Sequence, residues 1–421
     1  MKLLWFSHIL PYPPSGGASQ RSFNLLREIS RHYTVHLVAF DSEGLPKSAL
    51  DEYSEALRRY CEHVEIWEMP IQWRQGFRWW VRLAVSPLSS SPYSCQCYWS
   101  LSLAARWKEI LQKHQDFLLH FDSLDLALYS DAAASLPKVL NHHNCESALM
   151  RRRGANAKNP LKKPYLLNQA QKLAALERQV CPRFNVNTVC SDLDARALRD
   201  HCASVHTHLV ENGVDTEHFR PVRGAEERDT LIFSGLLDWE PNVSGIHYFV
   251  DEIWPLIRRD CPSVRLYLAG RHPVLSVRRL QAHDRSIVVV PNPEDMRPWL
   301  ARAAVYVCPL LEGGGTRIKL LDAMAMAKPV VSTSIGSEGL RVRDGENILV
   351  ADTPRDFAFS ILRLLNDKPL RLQLAYAGRA LVERHYSWGT IVLRLDEAYR
   401  CASGVLTCAP GASVPAVRQE P

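Results

Sequence analysis

The sequence lacks the features of a metal-binding, disulfide-rich or membrane-spanning protein. Its 11 cysteines contain no CxxC pair and no repeated spacing, which argues against a zinc site and against a disulfide framework. The apolar run at residues 3–6 is much shorter than a signal-peptide core or the roughly 20 residues of a membrane span. We therefore expect reduced thiols and a cytoplasmic protein, with at most a peripheral contact at the inner face of the membrane.

A strong excess of one charge is also missing. The 51 Lys and Arg against 45 Asp and Glu give a net charge of +6, which suits anionic partners such as nucleoside diphosphates or lipid headgroups. The excess is too small to indicate a nucleic-acid binder. Hydrophobic residues make up 46% and charged residues 23%, the balance of a globular protein, and 421 residues suit two domains of about 200 residues each.

Short β-rich runs alternate with helical segments along the whole chain, which is typical of parallel sheets built from βαβ units. In the first half we predict strands at 2–7, 34–40, 63–68, 117–121, 138–142 and 185–190. In the second half we predict strands at 230–234, 264–269, 286–290, 304–309, 329–333 and 347–351, each bounded by turn residues. The pattern predicts an α/β protein with two doubly wound domains.

The domain boundary is predicted around Asn212 and Gly213. A turn there is followed by charged residues that show no apolar periodicity. We expect a first domain at 1–211, a hinge linker at 212–226 and a second domain at 227–384. A C-terminal helix at 385–400 and a disordered tail at 401–421, rich in Ala, Gly, Ser and Pro, complete the chain. Two open sheets facing each other across a hinge form a cleft, where ligands of such sheets bind.

A strand, glycine loop and helix succeed one another in the second half of the chain. Gly313, Gly314, Gly315 and Thr316 follow the strand predicted at 304–309, and a helical segment begins soon after Arg317. Glycines let the backbone approach a bulky anion, and the amides and positive dipole of the helix end favour phosphate. Arg317 and, two residues later, Lys319 add two cations suited to a diphosphate. The alternative is a tight turn with exposed basic side chains.

With these residues the chain resembles the retaining glycosyltransferases of family 4, in particular the branch with a Gly-Gly-Gly-Thr-Arg donor loop. The match runs from Gly313 to Val331 and extends to segments at 212–215, 233–235, 238–242, 269–270 and 335–340, and to 11–17 with Arg21. The resemblance implies the GT-B fold of two Rossmann-like domains facing across a cleft. It also implies a nucleoside-diphosphate sugar bound mainly by the second domain, including Gly235, and retention at the anomeric carbon.

Two departures from the family pattern affect the donor site. The family has two glutamates seven residues apart, which meet the sugar and the ribose hydroxyls; here the second position is Asp322 and the first is Gly314. Glu312 is either a replacement that reaches the donor sugar or a solvated loop residue. The Arg and Lys that many relatives carry after the first strand of the second domain are absent at 234–239, so we expect Arg317 and Lys319 to carry the diphosphate charge.

The first domain supplies two further candidates. Gly16 and Gly17 follow the first strand and precede Arg21, so they either place amides against the donor or form an ordinary turn into a helix. His143 directly follows the strand predicted at 138–142, and the resemblance places it at a His-Asn-x-Glu motif beside the donor sugar. A strand-end histidine is otherwise often structural, and His142 is the substitute if the register differs by one residue.

Two stretches leave the membrane question open. Residues 72–99 hold seven aromatic side chains among arginines, which suits an interfacial membrane contact, an acceptor-binding flap or buried helix packing. The basic residues at 151–153, with Lys158, Lys162 and Lys163, suit a lipid diphosphate, an anionic membrane or simply a solvated face.

The sequence thus predicts a metal-independent hexosyltransferase that needs no cofactor beyond its nucleotide-sugar co-substrate. The acceptor would be a glycan, a lipid-linked glycan or a small molecule, in cell-surface polysaccharide or glycoconjugate synthesis. Asp192 and Asp194 match the DxD pattern of metal-dependent transferases, but their spacing from Ser191 predicts a helix cap instead. The alternatives are a nucleotide-sugar epimerase on the same fold and a non-catalytic donor-binding subunit.

Overall fold

The computed structural model describes residues 2–14, 16–71, 76–157, 159–160, 162–312 and 317–407. The chain forms two compact units. The first comprises Met1–Glu211 with Ile391–Pro421, and the second comprises Asn212–Thr390, which includes the residues expected to form the hinge. No helix in the described part of the chain is both long and apolar enough to cross a membrane.

The first unit is built on a parallel sheet of seven strands in the order β3-β2-β1-β4-β5-β6-β7. Its strands are β1 (Lys2–Ser7), β2 (Thr34–Asp41), β3 (His63–Glu68), β4 (Phe117–Phe121), β5 (Lys138–Asn141), β6 (Val186–Val189) and β7 (Thr207–Leu209). The central strands are buried along almost their whole length because helices cover both faces.

The second unit has a parallel sheet of six strands in the order β10-β9-β8-β11-β12-β13. Its strands are β8 (Thr230–Leu236), β9 (Arg265–Arg271), β10 (Ile287–Pro291), β11 (Val305–Cys308), β12 (Val330–Ser332) and β13 (Leu349–Val350). Large buried side chains such as Phe233, Phe249 and Phe357 fill its core. The predicted fold class, with two doubly wound parallel sheets, is confirmed.

Sixteen α-helices connect the strands in the described part of the chain. Those before residue 212 are α1 (Gly17–Ile29), α2 (Lys47–Arg58), α3 (Gly76–Val85), α4 (Tyr93–Tyr98), α5 (Leu101–Lys113), α6 (Glu146–Asn156), α7 (Lys162–Val180) and α8 (Asp192–His201). The others are α9 (Glu240–Tyr248), α10 (Trp254–Asp260), α11 (Leu275–His283), α12 (Arg297–Arg302), α13 (Ile318–Ala325), α14 (Pro354–Asn366), α15 (Lys368–His385) and α16 (Trp388–Ala402). Ser86–Leu88, Leu124–Ala133 and Cys181–Arg183 form 3₁₀ turns, and Phe249–Ile253 forms a π-helical turn.

Local side-chain chemistry sets several helix starts. Ser100, Ser191 and Thr353 each accept a hydrogen bond from a backbone amide in the first turn of their helix, and Pro354 stands at the first position of α14. The predicted strands lie within a few residues of the observed ones, except that β7 was not predicted. Residues 408–421 of the expected tail lie outside the described residues.

Each sheet reverses its strand order at one point, between β1 and β4 in the first unit and between β8 and β11 in the second. Ligands of open parallel sheets bind beyond the carboxyl ends of the strands at such a reversal. The structure thus marks one place in each unit where functional side chains are to be sought.

Candidate functional site

Lys319 lies at the strand-order reversal of the second unit, in the first turn of α13. Its Nζ donates to Asn242 Oδ1 at 2.5 Å, and the same ammonium lies 4.5 Å from the centroid of the Phe233 ring. Burial lowers the pKa of Lys319 to about 8. The neighbouring Cys308 raises this pKa, and the charge of Arg317 lowers it further. Among the described residues, the hydrogen-bond partner of Lys319 is the neutral amide of Asn242, and no carboxylate forms an ion pair with it.

Gly235 brings the main chain of β8 next to this lysine. Its φ of +148° lies in a region that side chains rarely adopt, and a Cβ there would lie 3.3 Å from Lys319 Nζ and 3.0 Å from Asn242 Nδ2. A Cβ on Gly270, its partner across the sheet, would overlap the carbonyl oxygen of Gly235. Both glycines are therefore required for the close approach of β8, β9 and the Lys319 side chain.

Arg317 is the N-cap of α13 and is only 4% exposed, and its Nη2 donates to the Ile335 carbonyl at 3.4 Å. Asp322 lies one helical turn after Lys319, is half-buried, and has its pKa raised to about 8 by burial alone. Glu312 is half-buried in the segment that follows β11. The other four residues predicted for the donor loop, Gly313, Gly314, Gly315 and Thr316, lie outside the described residues.

The second unit thus gathers two cations and a carboxyl group at the amino-terminal end of one helix, beside the carboxyl ends of β8 and β11. A helix N-terminus favours anions, and partly desolvated cations interact with them more strongly than exposed ones do. This arrangement suits a phosphorylated ligand that also carries hydroxyl groups for Asp322.

Asp122 is the centre of the polar cluster in the first unit, directly after β4. It is fully buried, and its carboxylate accepts hydrogen bonds from Ser22 Oγ at 2.5 Å, Ser7 Oγ at 3.2 Å and Asn141 Nδ2 at 2.7 Å. Burial opposes ionisation, but the neighbouring His143 and His120 outweigh it and hold the pKa of Asp122 well below its usual range. We did not predict this residue, although an acid directly after a strand at the sheet's reversal point is a usable signal.

His143 and His142 occupy different environments. His143 is partly exposed, and its Nε2 lies 2.9 Å from the Asp122 carbonyl oxygen and 3.3 Å from Asp122 Oδ1. His142 is buried, with its Nε2 3.1 Å from Asn187 Oδ1, and burial lowers its pKa. Of the two histidines, only His143 is therefore both accessible and next to a carboxylate.

Two further histidines adjoin this cluster. The His8 ring lies 5.1 Å from the His143 ring, and burial, followed by the charge of His143, lowers the pKa of His8 to about 4. His120 Nε2 lies 3.5 Å from Asp122 Oδ1, and its Nδ1 lies 2.9 Å from Tyr399 Oη on α16. Contacts through Tyr399, His120 and Asp122 thus link the C-terminal helix to His143. The sequence patterns did not predict this series of contacts.

The two glycines predicted to bind the donor in the first unit belong to a helix start. Gly16 is the N-cap of α1 and Gly17 is its first residue. The amide of Gly16 donates to Ser19 Oγ at 2.9 Å, so this amide is used within the turn. The buried Arg21 donates to the Glu211 carbonyl at 3.0 Å and to Asn141 Oδ1 at 2.9 Å, which ties α1 to the sheet beside Asp122.

Asp192 and Asp194 do not join any candidate metal cluster among the described residues. Ser191 Oγ caps α8 by accepting from the Asp194 amide at 3.1 Å, as predicted. Two other groups have donor atoms within 4.8 Å of one another: His8 with Asp122 and His143, and Cys145 with Glu177 and His201. Burial raises the pKa of Cys145 to about 12, so its thiol keeps its proton and is a poor metal ligand.

Two family models match the chain. The model described as Glycosyltransferase Family 4 matches residues 15–218, and the one described as Glycosyl transferases group 1 matches residues 228–367. A phosphatidyl-myo-inositol mannosyltransferase of Mycobacterium tuberculosis is 28% identical over 209 residues, which cover 46% of this chain and 54% of that protein. The chain spans about half the length of the curated relatives that it matches.

Solved structures match almost the whole chain. Sucrose-phosphate synthase from Thermosynechococcus elongatus superposes with a TM-score of 0.70 at 15% identity, covering 96% of this chain and 100% of that one. HepE of Anabaena, crystallised with UDP and glucose, gives a TM-score of 0.65 at 14% identity over 94% of this chain and 99% of that one. The chain therefore belongs to the glycosyltransferases of the GT-B type, with a family 4 match in its first half and a group 1 match in its second.

Proposed function

We propose that the chain transfers a hexosyl group from a nucleoside-diphosphate sugar to a glycan, a lipid-linked glycan or a small acceptor, with retention at the anomeric carbon. The observation that carries this proposal is the position of Lys319, held by Asn242 beside Gly235 at the amino-terminal end of α13. A cation at a strand-order reversal whose partner in the described part of the chain is a neutral amide suits a diphosphate.

In this proposal the donor is bound by groups that differ in chemistry. Lys319 and Arg317 meet the diphosphate oxygens, together with amides of Gly313, Gly314, Gly315 and Thr316. Asp322 accepts hydrogen bonds from the ribose hydroxyls. Gly235 leaves room for the phosphates, and Glu312 meets the sugar in place of the glutamate that Gly314 replaces.

The reaction breaks the bond between the anomeric carbon and the diphosphate oxygen. Negative charge develops on that oxygen, and Lys319 and Arg317 stabilise it more in the transition state than in the bound donor. The acceptor hydroxyl attacks the same face of the sugar that the diphosphate leaves, and the departing phosphate oxygen takes the hydroxyl proton. The step needs no metal, because the positive charges and amides of the donor loop balance the leaving group.

In the first unit, His143 is the side chain that we propose to serve the transferred sugar. Asp122 acts through it as a positioning residue, since its carboxylate and carbonyl oxygens both lie within 3.3 Å of His143 Nε2. The amides that follow Gly16 and Gly17 at the start of α1 are the second contribution of this unit.

The comparisons support the class of donor and acceptor. HepE was crystallised with UDP and glucose, and the mycobacterial relative is named for mannosyl transfer to a phosphatidylinositol. We infer a nucleotide sugar for this chain and an acceptor in cell-surface polysaccharide or glycoconjugate synthesis. We propose that the reaction takes place on the cytoplasmic side.

A thermal-shift screen of nucleoside diphosphates and their sugars is the first test, since a ligand of the folded state raises the melting temperature. Mass spectrometry with the best donor and candidate acceptors then follows the products. We expect release of nucleoside diphosphate coupled to a glycosylated acceptor. Isomerised donor without released diphosphate would identify an epimerase, and binding without turnover would identify a donor-binding subunit.

A further inference from the structure

Helix α3 exposes an apolar face to solvent. Phe77, Trp80, Val81 and Val85 occur at helical spacing on α3, and Leu88 ends the 3₁₀ turn that follows it; they are respectively 82%, 64%, 40%, 51% and 89% exposed. A surface helix of a globular protein normally presents polar residues on its outer face. The opposite face is already covered, because Trp79 and Leu83 pack against the core of the first unit. The exposed stripe, which we call the α3 face, is therefore not needed to hold the helix in place.

The chain around the α3 face carries no negative charge. Residues 69–108 contain no Asp or Glu, but they contain five Arg or Lys residues, of which Arg82 is exposed on α3 itself. An apolar face in an acid-free stretch of chain that also carries cations is complementary to a bilayer, which has an apolar interior and anionic headgroups.

Helix α7 supplies further cations next to the α3 face. Tyr165, Gln169 and Lys172 lie on one side of α7 and contact the segment after α3: Tyr165 Oη lies 3.1 Å from Ser86 Oγ, and Lys172 Nζ donates to the Ser86 carbonyl at 2.5 Å. Lys162 lies three residues before Tyr165 on the same side of α7 and is exposed. The basic start of α7 therefore lies on the same side of that helix as the residues that contact the end of the α3 face.

We propose that the α3 face docks the protein on the surface of an anionic lipid bilayer. Trp80 and Phe77 enter the boundary between headgroups and acyl chains, where aromatic side chains are favoured, and Arg82 and Lys162 contact the headgroup phosphates. Tyr93 and Tyr98, from the same aromatic stretch, are buried and serve the core instead. The proposal goes beyond the transfer reaction and does not depend on the identity of donor or acceptor.

Co-sedimentation with vesicles tests this proposal. The wild-type chain, the double variant Phe77→Ser/Trp80→Ser and the control Phe359→Ser are mixed with vesicles of phosphatidylcholine alone or of phosphatidylcholine with phosphatidylserine. Phe359 is a matched control because it is 67% exposed on α14 of the other unit. We expect wild type and Phe359→Ser to bind the anionic vesicles alike, and the double variant to bind at least about tenfold more weakly, or 1.4 kcal/mol.

Two further variants separate the apolar and charged contributions. Leu88→Ser, on the same face, should also weaken binding, and Lys162→Ser should weaken binding to anionic vesicles while added salt removes the difference. Equal binding by the double variant and wild type would overturn the proposal. The proposal would also be overturned if the wild type were an oligomer, the double variant were a monomer and neither bound vesicles. The α3 face would then join copies of the chain.

Discussion

The protonation state of Lys319 should control nucleotide affinity between pH 7 and 9. Burial lowers the pKa of Lys319 to about 8, which is within reach of ordinary assay buffers, whereas an exposed lysine titrates above pH 10. The charged form attracts the diphosphate and the neutral form does not. Affinity should therefore be highest below pH 8 and fall as the pH rises through 8.

The size of the effect follows from the fraction of lysine that is charged. With a pKa of about 8, roughly nine in ten molecules are charged at pH 7 and roughly one in ten at pH 9, so the dissociation constant should rise about tenfold, or 1.4 kcal/mol. The nucleotide itself does not titrate in this range, because the second pKa of a phosphate group is about 6. Binding near pH 8 should also take up a proton, since the bound diphosphate raises the lysine pKa.

Isothermal titration calorimetry at several pH values, in buffers of different ionisation enthalpy, measures both effects. The Asp322 carboxyl has its pKa raised to about 8 and ionises over the same range, so the comparison is made in the Asp322→Asn background. There the guanidinium of Lys319→Arg stays charged throughout, so the affinity should not change between pH 7 and 9. Burial also lowers the pKa of Lys328 to about 8, but its ammonium donates to the Ala301 and Ala303 carbonyls, so Lys328→Met should keep the pH dependence. A flat curve for Asp322→Asn with Lys319 intact, or the same slope after Lys319→Arg is added to it, would refute the role of Lys319.

Three further predictions concern other parts of the site. Asp322→Ala should weaken nucleoside diphosphate binding by about 1–3 kcal/mol and leave inorganic diphosphate binding unchanged in calorimetry, and equal weakening of both would indicate a structural role. Asp122→Asn should lower kcat, as His143→Ala does, while the nucleotide affinity is retained in both variants. An unchanged kcat in Asp122→Asn, or a loss of nucleotide affinity equal to the loss of kcat, would contradict its positioning role. Turnover should persist in excess chelator, in the wild type and in Asp194→Asn; loss of activity that magnesium or manganese restores would contradict the metal-free mechanism.

The fold was predictable because alternating apolar runs and turn residues mark the strands directly. The strands at 2–7, 63–68 and 117–121 were predicted with their observed bounds. Strand β7 was missed because Thr207–Leu209 has only three residues, and none of them is fully buried. Short edge strands owe their conformation to their neighbours in the sheet rather than to their own sequence.

The candidate site was predictable only where it is local in sequence. The glycine loop is followed by α13, which holds Lys319 and Asp322 and has Arg317 as its N-cap. In the structure this helix begins at the strand-order reversal of its sheet. The network around Asp122 is different, because Asp122 contacts Ser7, which is 115 residues away in the sequence, and Ser22, which is 100 residues away. Spacing along the chain carries no signal for such contacts, which arise when β1, β4 and α1 pack together.

Proton NMR of the reaction with an α-linked nucleoside-diphosphate sugar tests the central claim most directly, because one spectrum reports both bond cleavage and product configuration. We predict that free nucleoside diphosphate and an α-linked product appear together, at a rate that depends on acceptor concentration. A β-linked product would contradict retention. An isomerised donor without released nucleoside diphosphate, or a bound donor that stays unchanged with every acceptor, would contradict the assignment of glycosyl transfer to this chain.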